Sequence, residues 1–175
     1  DGDMYEIEIS GTSADSGNVK NSAAIVGNPS AVLSGSLAFN GTGVRSEISN
    51  LVFTSGTVGA VANGTLGLGE AQDLTITSVA FEQRTGNGYG GGVVNLGNMI
   101  IQGNSSFSEN RADVGGAIYN SKVLDISDTS FLNNMASGSG GAINSSGTMS
   151  IVNSTFDGNR SVSSCLLYTS PSPRD

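Results

Sequence analysis

The side chains able to carry acid–base chemistry are sparse. The chain has fifteen Asp and Glu, seven Lys and Arg, one cysteine and no histidine. Cleaving a glycosidic bond needs two carboxylates held on either side of it. A lyase-type alternative needs acidic calcium ligands beside a basic group. In the regular part of the chain the candidates are Asp125, Asp128, Glu109 and Asp113, with Arg111 between the last two. Thr75, Ile100 and Ser150 stand at multiples of 25 residues from Asp125, so its carboxylate is not repeated along a row. Asp128 falls on the bend that follows, and Glu109 and Asp113 lie on a different stretch. No two carboxylates are expected to converge, and no cluster of two carboxylates with a basic group on adjacent coils is expected anywhere. The sequence therefore nominates no catalytic, cofactor-binding or metal-ligating residue, and no cofactor.

Other motifs read as structure. Gly86–Gly92 (GNGYGGG) has the glycines of a phosphate loop but lacks its Lys and Ser/Thr, and no helical pattern follows. GSGG at 138–141 is not followed by the Asp of a calcium-binding nonapeptide. A threonine array would need stacked TxT, and only Thr75–Ile76–Thr77 supplies it. The sequons at Asn40, Asn63, Asn104, Asn144 and Asn153 bear on glycosylation only in a eukaryotic secretory pathway. A net charge of −8 without a basic cluster leaves nothing to neutralise phosphates, which argues against nucleic acid as a partner. No run of about 20 apolar residues is present to span a bilayer.

What organises the chain is a period. Phe81, Phe107, Phe131 and Phe156 close four copies of one phrase: LTITSVAF (74–81), MIIQGNSSF (99–107), LDISDTSF (124–131) and MSIVNSTF (149–156). Leu74, Met99, Leu124 and Met149 open them 25 residues apart, and Ile76, Ile101, Ile126 and Ile151 follow two later. Apolar residues two apart share one face of a strand. The Phe five or six residues beyond fits a bend and a second short strand into the same core. A third inward strand follows a glycine pair in GGVVN (91–95), GGAIYN (115–120) and GGAIN (140–144), with GAVAN (59–63) a weaker copy. A fixed period of this length is the mark of a solenoid. Three short strands per repeat without helical periodicity make the expected fold all-β, a right-handed parallel β-helix with about 25 residues per coil.

Asn110, Asn134 and Asn159 lie three residues after their Phe. Asparagine accepts left-handed backbone, so a ladder of tight corners is expected there. The glycine pairs are expected to permit positive φ and close packing of successive turns. Residues 1–164 read as a single β-helix fragment, regular from about 46 onward and less regular over 1–45. In that earlier part Tyr5, Ile7 and Ile9 alternate, and Ile48 and Phe53 keep the Ile-to-Phe spacing.

The ordered pairing of FxxN (107–110, 131–134, 156–159) with GGAI (115–118, 140–143) resembles the chlamydial polymorphic outer-membrane proteins. The resemblance is good over 86–162; the copy at Phe81 ends in Arg84 instead of Asn, and GGVV at 91–94 is looser. It implies a non-catalytic autotransporter passenger at the cell surface or outer membrane, or secreted, that acts in adhesion. The implied partners are a protein or glycan of a host or neighbouring cell surface, with no nucleic acid and no membrane contact within this segment. The alternative is a fragment of a carbohydrate-active β-helix enzyme, a polysaccharide lyase or glycoside hydrolase, whose catalytic coils lie elsewhere. CLLYTSPSPRD (165–175) carries Cys165 and two of the three prolines, and shows no repeat. It is similar to the one-frame translation of a sequencing adapter and is expected to be a non-native tail on an internal fragment.

Overall fold

The computed structural model describes residues 5–9, 12–13, 16–28, 31–41, 43–57, 59–64, 71–163 and 168–169. They form a parallel β-solenoid without a helix. Three parallel sheets of seven strands each surround one core, and a fourth holds three. Each coil leaves a strand in the first sheet, turns into the second and returns through the third. The coil after residue 70 shows the order: Asp73–Thr77, then Ala80–Arg84, then Val93–Asn95.

The apolar positions of the repeated phrase become columns. In the first sheet Ile7, Ile25, Ile48, Ile76, Ile101, Ile126 and Ile151 are successive register partners. In the second sheet Phe53, Phe81, Phe107, Phe131 and Phe156 stack face to face, centroids 4.5–5.2 Å apart and planes within 7°. Leu37, Val61, Val93, Ile118 and Ile143 line the third. A lone coil cannot bury such residues; stacking buries those of the inner coils, while Ile151 in the last regular coil stays exposed and Phe156 half-buried. The irregular early coils join the same columns, and Phe53 extends the phenylalanine row by one. Phe39 belongs elsewhere, on the third sheet opposite Asn63.

The structure adds one element to the expected three strands. Arg111–Ala112, Met135–Ala136 and Arg160–Ser161 form the short fourth sheet, with Ala112 and Ala136 buried inward. The strand pair Ile143–Asn144 and Tyr168–Thr169 places one piece of the tail beside the third sheet. Cys165 and the prolines of the tail lie outside the described residues.

Two expectations about corners are corrected. The left-handed residue is the one before each ladder position, Arg84, Asn110, Asn134 or Asn159: Gln83, Glu109, Asn133 and Gly158, with φ of 53°, 55°, 54° and 63°. Asn110, Asn134 and Asn159 instead point inward and are buried. The glycine pairs align one residue differently from the motif. Val93 pairs with Ile118, so Gly90–Gly91 matches Gly115–Gly116, and Gly92 occupies the place of Ala117. The first glycine of each pair has positive φ (Gly90, Gly115, Gly140), as expected. The second admits close backbone approach, since a Cβ on Gly116 would strike the carbonyl oxygen of Gly141 and lie 2.7 Å from the backbone of Met135. Gly116→Ala should therefore lower stability by about 1–3 kcal/mol, read as an earlier urea midpoint, while Ala in place of exposed Gly43 should cost less through φ alone.

Candidate functional site

Two sets of polar residues stand apart from the apolar columns, one inside the coils and one outside. The inner set consists of amide ladders. Asn134 Nδ2 donates to Asn159 Oδ1 at 2.9 Å and to the Phe107 carbonyl at 3.0 Å. Its own Oδ1 accepts from the backbone N–H of Asn110 at 3.0 Å and from Asn110 Nδ2 at 2.9 Å. A second ladder runs through the third sheet, Asn63 to Asn95 at 3.1 Å, Asn95 to Asn120 at 2.8 Å, and Asn120 to Ser145 Oγ at 2.9 Å. Buried polar groups must be paired, and here each amide satisfies corner backbone as well as its neighbour.

Arg84 holds the ladder position in the copy closed by Phe81, and its register partner Gly56 holds it in the copy closed by Phe53. Asn110 Oδ1 accepts the Arg84 backbone N–H at 3.1 Å, and the guanidinium donates to the Ser34 and Thr54 carbonyls at 2.7 and 2.9 Å. It is 1 % exposed, and burial pulls it below the ordinary arginine value. Gly56 leaves the room it needs, because any Cβ there would overlap the guanidinium. Arg84 thus ties its own coil to three others where the regular repeat begins. Arg84→Met, which keeps the stem and removes the donors, should cost about 1–3 kcal/mol in urea unfolding.

The outer set lies on the solvent face of the first sheet. Strand alternation puts Ile48, Ile76, Ile101 and Ile126 inward, so the residues between them face out. Register then builds two rows across the strands. One reads Arg45, Asp73, Asn98, Val123; the other reads Glu47, Thr75, Ile100, Asp125. Together they line an open hollow of about 320 Å³. Asn98 Nδ2 donates to Asp73 Oδ1 at 2.8 Å, and Arg45 is the register partner of Asp73.

This overturns the expectation that no cluster of carboxylates with a basic group sits on adjacent coils. Arg45, Glu47 and Asp73 do so, on strands that are direct neighbours. Arg45 and Asp73 are 28 residues apart, not 25, so the period that finds every later neighbour misses this pair. Of the expected candidates, only Asp125 joins the hollow, opposite Ile100 and Ser150 as its spacing implied. Asp128 sits at a left-handed corner with φ 49°. Glu109 occupies another corner, accepting from Gln83 Nε2 at 3.1 Å. Asp113 accepts from Ser137 Oγ at 2.6 Å, and Arg111 Nη1 lies 3.7 Å from Met135 Sδ. None of these four lines the hollow.

A general acid is set up by taking a carboxyl out of water, whereas Glu47, Asp73 and Asp125 all stand in solvent. Among the described residues, no three His, Cys, Asp or Glu side chains meet as a metal-binding group.

No curated protein and no solved structure matches the chain. One family model does, the Chlamydia polymorphic membrane protein (Chlamydia_PMP) repeat, over residues 100–121 and 128–146. Each stretch holds one FxxN and one GGAI, the former supplying a stacked ring and an inward amide, the latter a tight turn and a buried Ile. Two stretches of the parallel β-solenoid, 100–121 and 128–146, are thus similar to the Chlamydia polymorphic membrane protein repeat.

Proposed function

We propose that this segment is a non-catalytic passenger region, displayed at the cell surface or outer membrane, whose rod presents side chains for adhesive contact. The observation that carries the reading is the division of labour between inside and outside. The repeat's most regular polar residues, Asn110, Asn134 and Asn159, are consumed within the core. The outward rows change residue type at nearly every coil, as Glu47, Thr75, Ile100, Asp125 and Ser150 show. A rigid interior repeated from coil to coil with a variable exterior suits a scaffold for contact. The test is binding of the labelled chain to cultured epithelial cells, with saturable binding expected. Binding no greater than that of an unrelated acidic protein of equal size would reject it.

The cluster of Arg45, Glu47 and Asp73 gives a second reading its footing, a polysaccharide lyase or glycoside hydrolase. Incubation with polyuronates and neutral glucans separates the two. Release of unsaturated or reducing ends, lost in Glu47→Gln, would favour the enzyme.

A further inference from the structure

We infer that the hollow on the first sheet takes an extended basic peptide segment of a partner protein, of the pattern basic–x–apolar–x–basic. This deepens the contact reading above and rests on it only in requiring that a partner reach this face. Glu47 and Asp125 occupy one row, three coil steps apart. At about 4.8 Å per step the separation is about 14 Å. An extended peptide advances about 3.3 Å per residue and alternates its faces, so residues i, i+2 and i+4 present one face over about 13 Å. Two cations at i and i+4 would thus reach Glu47 and Asp125. The residue between them would meet Ile100 and Val123, which are 42 % and 40 % exposed and break the two otherwise polar rows of the hollow.

Charge selects the partner. Asp73 already has the Asn98 amide and faces Arg45 across the strand pair, leaving Glu47 and Asp125 as the anchors. The hollow carries three carboxylates against one guanidinium, on a chain of net charge −8. Acidic glycans and nucleic acids are repelled from such a face. Neutral glycans favour an aromatic platform, and the pair of exposed Tyr89 and half-buried Tyr119 lies away from the hollow, Tyr119 on the third sheet.

The test is an NMR titration of the isotope-labelled 175-residue chain with the peptide Lys-Ser-Leu-Ser-Lys, capped at both ends. Shifts should concentrate in Arg45–Ser49, Asp73–Thr77, Asn98–Gln102 and Val123–Ser127. Exposed ion pairs are worth about two- to fivefold each, so Glu47→Gln with Asp125→Asn should weaken binding about tenfold. The matched pair Glu109→Gln with Asp113→Asn, which removes the same charge from other faces, should leave binding within about twofold. Equal losses in both variants, or shifts scattered over the surface, would reduce the effect to net charge and overturn the proposal. Shifts in these strands from a neutral oligosaccharide but not from the peptide would overturn it in favour of a glycan surface. Loss of cell binding with the titration unchanged would count against the adhesive reading alone.

Discussion

Phe107→Ala should remove about 3–5 kcal/mol of stability, the usual cost of emptying a buried aromatic site. Phe107 is fully buried, with Phe81 stacked on one side at 4.5 Å and Phe131 on the other at 4.9 Å. The gap cannot close, because backbone ladders on both sides fix the coil spacing. Offset ring contacts are lost in addition to the buried area. A solenoid couples each coil mainly to its neighbours, so the deletion also interrupts the communication between coils above and below. Urea unfolding followed by circular dichroism should show an earlier midpoint and a broader transition. Phe156→Ala provides the comparison, since its ring is only half-buried and touches one described phenylalanine. It should cost clearly less. Equal losses at 107 and 156 would mean that the row acts as greasy filling instead of as a stack.

The columns were legible in the sequence because their physics is periodic. A coil interior that admits only apolar side chains forces Ile76, Ile101 and Ile126 to recur at the coil length. The phenylalanines tolerate a shift of one residue because the bend before them absorbs it, as the extra residue in MIIQGNSSF shows. The hollow was not legible. Its basic residue lies on the strand Arg45–Ser49, and the longer coil between this and Asp73–Thr77 hides their pairing from any fixed period. Only the register of Ile48 with Ile76 restores it.

The amides failed for a different reason. Asparagine at a polar corner reads as solvent-facing, and local propensity offers it the left-handed turn. In the coil that turn goes to Gln83, Glu109 and Asn133, each at φ of 53–55°. Each following corner leaves backbone N–H and C=O groups facing inward, where no strand partner reaches them. A side chain that both donates and accepts, repeated in register, is what answers that need. The Asn63–Asn95–Asn120 ladder was written in the ends of GAVAN, GGVVN and GGAIYN. Its last step is Ser145, the register partner of Asn120, while Asn144 of GGAIN pairs with Tyr119 and faces outward. The motif thus places the residue type but not the direction in which it points.

Asn134→Leu should therefore cost about 3 kcal/mol or more, although it replaces a polar residue by an apolar one in a core. The change strands the Asn110 backbone N–H, one hydrogen of Asn110 Nδ2 and the Phe107 carbonyl. Each orphaned buried group costs about 1–3 kcal/mol. Asn134→Asp tests the donor side alone. It keeps an acceptor for Asn110 but turns an oxygen toward the Phe107 carbonyl and Asn159 Oδ1, which are themselves acceptors. The folded state then favours the protonated acid, and its carboxyl should titrate above the unfolded value of about 3.9. With the folded value raised, the compensating stability is present below the unfolded pKa and is lost as pH rises through the folded one. The Asp variant should thus lie well below the parent at neutral pH and recover toward it on acidification, while the Leu deficit stays level. Urea midpoints for both variants across that range decide the matter. A Leu variant as stable as the parent would show that the corner backbone finds other partners; an Asp variant with no recovery in acid would show that the amide's hydrogens are not what the corner requires.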